Sequence, residues 1–292
     1  MKVTGIGGGH GLAASLLAAR HYAADIAAVV TVADDGGSSG KLTRELGIPP
    51  PGDIRNCLVA LAGHDDRAEL YQHRFQEGAL TGHTVGNLII AALTEMKGDF
   101  GEAVAAAGRM LGCEGRVYPA TGEIVALMAH VRGGVVRGQV AVAETRDPIQ
   151  ALFLEPRAPR ANEGAVRAIL DAEQVILGPG SLFTSLIATV LVPGIRVALQ
   201  QTNARRVFVC NARMQKGETE GLDAAAHVES LLAHAGANTV DVVVAQSPAL
   251  PVDGVELGSL RALGLDVVEA DIASETGAHD PGRLAEVLSS LG

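Results

Sequence analysis

The chain has 292 residues, 48% of them hydrophobic, and carries a formal net charge of −10 at pH 7. A chain of this length and hydrophobic content can bury a substantial core, which argues against disorder. The acidic balance and the small aromatic content, with zero Trp, 3 Tyr and 5 Phe, argue against a nucleic-acid partner, because phosphate backbones are bound through clustered Lys and Arg and single strands through aromatic platforms.

A glycine-rich loop near the start of the chain predicts a phosphate site. It follows an apolar strand start at Val3 and precedes residues 12–19, whose Ala and Leu pattern predicts a helix. Glycine lets backbone N–H groups and a helix N-terminus converge on an anion. The strict G-x-G-x-x-G motif is incomplete, since His10 occupies the place of its third glycine, and a tight strand-to-helix turn is the alternative. The candidate ligand-binding residues of this loop are Gly8, Gly9, His10 and Gly11.

A second apolar run, residues 26–32, ends just before Asp34 and Asp35. In a Rossmann-like chain an acid about 20 residues beyond the glycine loop bonds ribose hydroxyls, which makes Asp34 a candidate ribose acceptor. The two acids could equally serve as an N-cap and a solvated charge. Residues 36–40 then form a second glycine-rich loop, which we expect to close over a charged ligand. Its hydroxyl groups, candidates for ligand binding, belong to Ser38 and Ser39.

Asp53 follows an extended connector at residues 47–52 and is predicted to be the N-cap of a helix over residues 54–61. Arg55 and Asn56 fall in the first turn of that helix. A cation there opposes the helix dipole, so Arg55 either faces a ligand or Asp53, or is an ordinary surface arginine. We take all three polar residues as candidate ligand-binding residues.

Residues 80–87 place His83 and Asn87 near the start of an apolar helix at residues 88–93. Asn87 is a candidate ligand-binding residue. A lone His near a helix start is more often structural, and no spacing in the chain indicates a metal site.

Residues 125–142 alternate between apolar and polar side chains on both sides of Gly133 and Gly134, which predicts a β-hairpin with a glycine turn. The hairpin interrupts the otherwise regular succession of strands and helices.

A third glycine-rich loop follows an apolar strand at residues 172–177 and leads into a buried apolar helix at residues 182–192. Ser181 can cap that helix or donate to a phosphate. Helix N-termini cluster at the carboxyl edge of a parallel sheet, so this loop and the first could hold a diphosphate between them. The candidate ligand-binding residues here are Gly178, Gly180, Ser181 and Thr184.

The C-terminal part continues the same succession. Strands are predicted at residues 195–199, 207–209, 240–245 and 265–268, and helices at residues 222–235 and 283–291. The loop at residues 215–221 follows a strand and is well placed for a site. We therefore predict an α/β fold, a Rossmann-like and largely parallel sheet flanked by helices with a small β-hairpin excursion, forming one nucleotide-binding domain over residues 1–292.

The three cysteines, Cys57, Cys113 and Cys210, form no C-x-x-C pair, so neither a zinc site nor a disulfide framework is predicted. A reduced cytosol fits this usage. The longest apolar region, residues 182–192, is shorter than a membrane span, and a strand begins at the N-terminus where a signal segment would stand. We expect a cytoplasmic protein without a membrane span.

Five sequence segments resemble the gluconeogenesis factor family (YvcK type), a branch of the superfamily that contains 2-phospho-L-lactate transferase (CofD type). They cover the chain from its start to about Ala235, in family order. The segments are GIGGGHGL, TVADDGGSSGKLTRELGIPPPGDIRNCLVAL, GHTVGNLIIAALTEMKGDF, ILGPGSLFTSLI and QKGETEGLDAAAHV.

This resemblance implies a cytoplasmic protein that binds a UDP-sugar such as UDP-N-acetylglucosamine and supports cell shape and envelope synthesis on gluconeogenic carbon sources. It implies no established turnover, so no catalytic residue is assigned. By matching motifs, the resemblance places these residues in the pocket: Gly8, Gly9, His10, Asp35, Ser38, Ser39, Asp53, Arg55, Asn56, Asn87, Gly180, Ser181 and Thr184.

The leading hypothesis is a ligand-sensing regulator, in which UDP-sugar occupancy closes the glycine-rich loops and alters a surface that an unidentified protein partner, or a second copy of the chain, contacts. The first alternative is a transferase of the lactyl-phosphate type, in which Asp35 or Asp53 assists a magnesium ion. The second is an NAD-binding protein with Asp34 on the adenosine ribose.

Overall fold

The computed structural model describes residues 1–63 and 66–292, and in them the chain forms a seven-stranded parallel sheet flanked by helices. The strands of this sheet are β1 (Lys2–Gly7), β2 (Asp25–Val30), β3 (Arg116–Pro119), β7 (Gln174–Leu177), β8 (Arg205–Val209), β9 (Val242–Gln246) and β10 (Asp266–Ala270). Their spatial order is β10, β9, β8, β7, β1, β2, β3. The predicted α/β fold with a largely parallel sheet is confirmed.

Helices cover both faces of the sheet. They are α1 (Gly9–Ala19), α2 (Gly37–Leu46), α3 (Gly52–Leu61), α4 (Asp66–Gln72), α5 (Val85–Lys97), α6 (Phe100–Leu111), α7 (Gln139–Glu144), α8 (Glu163–Leu170), α9 (Ala188–Val190), α10 (Pro193–Gln201), α11 (Ala224–Ala235) and α12 (Pro281–Ser289). A π-helical segment, Leu182–Ile187, runs into α9, and a 3₁₀ helix spans Leu260–Leu263.

The order of the strands reverses between β1 and β7. From β1 the chain adds β2 and β3 on one side, whereas β7, β8, β9 and β10 extend the sheet on the other. Ligands of open parallel sheets bind outside the carboxyl ends of the strands at such a switch point, because the loops diverge there and leave a crevice. Gly7, the last residue of β1, and Gly178, which follows β7, both lie at this point, since β1 and β7 pair in parallel register.

The predicted hairpin is confirmed and belongs to a larger unit, but its second strand ends at Arg137, and residues 139–142 lie in α7 instead. β4 (Ala126–Val131) and β5 (Gly134–Arg137) pair in antiparallel register. A third strand, β6 (Ile149–Glu155), pairs with the other edge of β4. The sequence pattern gave no prediction for β6, or for β3 of the main sheet.

One predicted strand is wrong, because residues 195–199 lie within α10 instead. Pro193 occupies the first turn of α10, where its missing N–H costs nothing and its fixed φ suits a helix. The buried residues of α10 are Ile195, Ala198 and Leu199, spaced three and four apart on one helical face. A short apolar run does not distinguish a buried strand from a buried helix.

The predicted second glycine-rich loop is also wrong, since its residues form the first turn of α2. The N–H of Gly40 donates to the Gly36 carbonyl at 2.8 Å. Gly47 ends the helix in the left-handed conformation, with φ 65°. The backbone N–H groups of residues 37–39 therefore project from a helix N-terminus rather than from a closing loop.

Among residues 1–63 and 66–292, no single helix is long and apolar enough to cross a membrane. The segments Leu182–Val190 and Pro193–Gln201 reach the required length and composition only together, and they are bent by 78° at their junction.

Candidate functional site

Two adjoining cavities lie at the carboxyl edge of the sheet beside the switch point. The first, about 320 Å³, is called here the loop compartment, and the second, about 350 Å³, the arginine compartment. His10, Asp34 and Asp53 line both and mark their boundary. The loop compartment is otherwise lined by Gly8, Gly9, Thr31, Gln139, Ser181, Thr184, Ser185 and Gln215. The arginine compartment is otherwise lined by Gly36, Gly37, Ser38, Ser39, Gly52, Arg55, Asn56, Arg74 and Asn87.

The first glycine loop places the N-terminus of α1 in the loop compartment. Gly9 adopts φ +64°, a left-handed conformation that favours glycine. A Cβ on Gly8 would collide with Asp53 Oδ2 and lie 2.8 Å from Thr31 Cγ2. The first N–H groups of a helix have no partner within it, so those of α1 that are not bonded elsewhere are available to an anion here.

Asp53 is the second residue of α3 and not its N-cap, a position held by Pro51. Its carboxyl group accepts a hydrogen bond from the Gly9 N–H. Burial, with the nearby Asp34 carboxylate as the second cause, raises the pKa of Asp53 to about 7. Asp53 therefore exchanges a proton near neutral pH at the boundary between the compartments.

Asp34 faces the same boundary. Its Oδ1 accepts the Gly36 N–H at 2.9 Å, and the Ser39 hydroxyl donates to its carboxylate. Burial raises the pKa of Asp34 above its ordinary value. Two carboxylates are hard oxygen ligands of the kind that Mg²⁺ takes when it keeps several waters. Within residues 1–63 and 66–292, no group of three or more His, Cys, Asp and Glu side chains is placed to hold a metal.

Asp35 turns away from both compartments. Its Oδ1 accepts the Val140 N–H at 3.0 Å, at the start of α7. A Cβ on Gly138 would collide with the other carboxylate oxygen. Asp35 thus anchors the small antiparallel sheet to the loop after β2, and by that link helps to place Gln139 in the loop compartment.

Arg55 lines the arginine compartment and is 5% exposed. Its guanidinium donates to Thr84 Oγ1 at 2.6 Å, to Asn87 Oδ1 at 3.1 Å and to Asn56 Oδ1 at 2.7 Å. These interactions tie α3 to the start of α5, and Asn56 and Asn87 line the same compartment.

The hydrogen bonds continue to α2. Asn87 Nδ2 donates to Ser38 Oγ at 3.0 Å, and Ser38 Oγ lies 3.0 Å from His83 Nδ1. Ser39 Oγ accepts the Gly52 N–H at 3.1 Å. His83 contacts Ser38 and does not line the cavity, which agrees with the structural role that is more common for a lone His near a helix start.

The third glycine loop packs against the first instead of facing it across a gap. A Cβ on Gly11 would lie 2.5 Å from the Pro179 carbonyl oxygen and 2.6 Å from Gly180 Cα. Asn211 bonds both polar groups of Gly180, accepting its N–H at 3.1 Å and donating to its carbonyl at 2.8 Å. The Gly178 carbonyl accepts from Ser15 Oγ. Gly11, Gly178 and Gly180 thus bring the two loops into contact at these positions. The loop compartment, which Gly8, Gly9, Ser181 and Thr184 line, lies beside that contact.

A side chain occupies the helix N-terminus after this loop. Glu218 Oε1 accepts the N–H of Phe183 at 2.9 Å and that of Thr184 at 2.7 Å. Ser181 holds the N-cap position without a side-chain capping bond, and its hydroxyl accepts from Gln215 Nε2 at 3.3 Å. Ser181 and Thr184 line the loop compartment, but the anion position that the sequence predicted here is already filled.

The sequence alone did not predict several residues that line the two compartments. Thr31, Gln139, Ser185, Gln215, Gly52 and Arg74 line the two compartments. The loop at residues 215–221 follows a predicted strand, and this position is the sequence signal that could have identified Gln215. Arg74 and Gln139 carry no local signal, because they enter the site through α4–α5 and through the antiparallel sheet.

Comparison with known proteins identifies relatives over nearly the whole chain. The family model of 2-phospho-L-lactate transferase CofD matches residues 3–279. A protein of Mycobacterium tuberculosis is 43% identical over 307 residues, which cover 99% of this chain and 90% of that protein. The Gluconeogenesis factor of Bacillus subtilis is 40% identical over 310 residues, covering 99% and 98%. A crystal structure of a UPF0052 family member from Bacillus halodurans has a TM-score of 0.94 at 35% identity, covering 98% of this chain and 97% of that one.

Proposed function

Since the chain belongs to the 2-phospho-L-lactate transferase CofD family, and its relatives include a protein named gluconeogenesis factor, we propose that it is a UDP-sugar-binding regulatory protein. In this proposal it acts in the cytoplasm and supports cell shape and envelope synthesis on gluconeogenic carbon sources. The loop compartment holds the nucleotide diphosphate, and a protein partner recognises the occupied form.

The observation that carries the proposal is the N-terminus of α1 at the switch point of the sheet. The helix dipole and the first-turn N–H groups favour a phosphate there. A Cβ on Gly8 would meet Asp53 and Thr31, so glycine at this position lets both side chains pack against the loop that begins α1.

The surrounding side chains suit the remainder of a nucleotide sugar. Gln139, Ser181 and Gln215 line the loop compartment and supply donors and acceptors for sugar hydroxyls. Asp34, at the boundary, is the acceptor expected for a ribose.

The test is calorimetry and thermal unfolding with UDP, UDP-glucose, UDP-N-acetylglucosamine, GDP and NAD, with and without magnesium. A ligand at a hundredfold its Kd stabilises the native state by about 2.7 kcal/mol. We expect a UDP-sugar to do so, and the Gly8→Ala protein to lose the effect while Gly122→Ala, which has nothing within 4 Å of the added Cβ, keeps it. No heat and no change in Tm with any UDP-sugar would refute the proposal.

A transferase of the lactyl-phosphate type is the second candidate, and one observation favours it. Asp34 and Asp53 lie between two compartments, where they could hold a magnesium ion beside both reactants. That ion would supply charge neutralisation for a transferred phosphoryl group. Product formation from a deazaflavin acceptor and a lactyl diphosphate nucleotide, lost in Asp34→Asn, would favour this function over the first.

A further inference from the structure

We infer that the arginine compartment is a second anion subsite, which takes the phosphate or carboxylate group of a separate molecule while the loop compartment holds the nucleotide. The inference rests on the proposed function only for the occupant of the loop compartment. The anion subsite itself follows from the surroundings of Arg55.

Arg55 is a buried cation whose charge no side chain neutralises. It is 5% exposed, and each of its bonding partners is a neutral oxygen, from Thr84, Asn87 or Asn56. Asp53 is near enough to act on the pKa of Arg55, yet among residues 1–63 and 66–292 no carboxylate forms an ion pair with it. A buried charge is costly unless a counter-charge is present.

The guanidinium also keeps an unused donor. Arg55 Nε is buried and has no hydrogen-bond partner in the part of the chain that the structure describes. An orphaned donor on a buried cation indicates a missing acceptor. Oxyanions match guanidinium geometry, since phosphate and carboxylate can both accept two parallel N–H bonds.

The fold makes room for this arginine. A Cβ on Gly86, in the first turn of α5, would lie 2.9 Å from both Cγ and Cδ of Arg55. The chain of bonds from His83 through Ser38 and Asn87 fixes the guanidinium in advance of any ligand. A fixed donor group binds with less loss of side-chain entropy.

A second cation lines the same cavity. Arg74 is exposed and donates to the Gly82 carbonyl. Burial lowers the pKa of Arg55, and the nearby charge of Arg74 lowers it further. Two neighbouring guanidinium groups repel one another, and an anion between them removes that repulsion. A purely structural role for Arg55, tying α3 to α5, accounts for its bonds to Thr84 and Asn87 but not for its unpartnered Nε.

The boundary between the compartments separates their occupants. A polyphosphate chain running from the loop compartment to Arg55 would pass the carboxyl groups of Asp34 and Asp53, which line both cavities. Repulsion between like charges opposes that path. The α1 N–H groups offset this repulsion in the loop compartment, and the Arg55 guanidinium offsets it in the arginine compartment. It therefore opposes chiefly a phosphate at the boundary, and we assign the anion beside Arg55 to a molecule other than the nucleotide.

The experiment is isothermal titration of the full chain with inorganic phosphate and with acetate at constant ionic strength, first alone and then saturated with UDP. We expect at least one anion to bind, and to keep its affinity within about threefold when UDP is present. Arg55→Gln should weaken anion binding at least about tenfold and change UDP affinity less than about threefold.

The matched control is Arg20→Gln. Like Arg55, Arg20 joins α3 to another part of the fold: it donates to the carbonyls of Ala60 and Ala62 at the end of α3 and pairs with Glu114. Unlike Arg55, it lies outside both compartments. It should leave the binding of both ligands unchanged. If Arg55→Gln does not fold by circular dichroism, Arg74→Gln takes its place, and we expect it to weaken anion binding several-fold.

Three results would overturn the inference: no heat with either anion, unchanged anion binding in both the Arg55 and the Arg74 variant, or loss of the anion on saturation with UDP. The last would mean that Arg55 binds the nucleotide's own phosphate. If UDP does not bind at all, the proposed function fails, and the anion titration of the free protein alone decides the subsite.

Discussion

Asp53→Asn should change how the stability of the protein depends on pH. The Asp53 carboxyl accepts the Gly9 N–H, and burial followed by the Asp34 charge raises its pKa from an ordinary 3.8 to about 7. An Asn side chain keeps an acceptor oxygen for Gly9 and has no proton to release. The variant therefore removes the titration while retaining the hydrogen bond.

The sign follows from proton binding in the two states. Between pH 3.8 and about 7 the native Asp53 keeps a proton that the unfolded chain has released, so the free energy of unfolding falls as the pH rises through this window. From pH 5 to pH 8 the loss is about 2.5 kcal/mol. This is an upper limit, because the Asp53 residue is only half-buried and solvent screens its charge.

The assay is urea denaturation of the wild type, Asp53→Asn and the control Asp171→Asn at pH 5 and pH 8. Asp171 is an exposed carboxylate at the end of α8. We expect the stability of Asp53→Asn relative to the wild type to rise by about 1–2.5 kcal/mol over this range, and that of Asp171→Asn to change little.

Other ionisable groups face Asp53 from the elements packed around it, and they set the remaining slope. They are His10, Asp34, Arg55 and Cys57. Burial raises the pKa of Asp34 as well, so the variant should keep part of the decline with pH. An equal difference between Asp53→Asn and the wild type at pH 5 and pH 8 would refute the reasoning.

Three further predictions concern packing and thiol chemistry. Gly11→Ala should lower the free energy of unfolding, measured in urea, by about 1–3 kcal/mol, since the added Cβ meets the backbone of the third loop at 2.5 Å. The control Gly122→Ala should change it by less than about 0.5 kcal/mol, and equal effects of the two would contradict the close packing of the loops. Glu218→Ala should cost about 1–3 kcal/mol by urea denaturation, because two backbone N–H groups lose their acceptor, and Glu218→Gln should cost less; a neutral Glu218→Ala would contradict this role. Burial raises the pKa of Cys113 to about 11 and that of Cys210 to about 12, so alkylation of the native protein at pH 8, followed by mass spectrometry, should be slow and should favour the half-buried Cys113; rapid labelling of Cys210 would contradict its burial.

The sequence by itself determined the class of fold and indicated where the candidate site lies. Apolar runs followed by glycine and then by a helical pattern predicted β1 and the helix after it, and β7 and the helix after it. They also predicted a crevice at the carboxyl ends of these strands. These signals are local, because a strand, a glycine turn and an amphipathic helix each depend on residues that are close in the chain. The polar first turns of α3 and α5 were found for the same reason.

Only the tertiary structure decided what each of those residues faces. Asp53 is a hydrogen-bond partner of Gly9 and not an N-cap, and Asp35 bonds the start of α7. Glu218 accepts the N–H groups at the helix N-terminus where Ser181 was expected to bind an anion. Residues 195–199 became a helix because Pro193 begins a turn whose apolar face packs against the core. Each outcome depends on atoms brought from distant parts of the chain, which set burial and charge at a position. Local pattern carries no information about them.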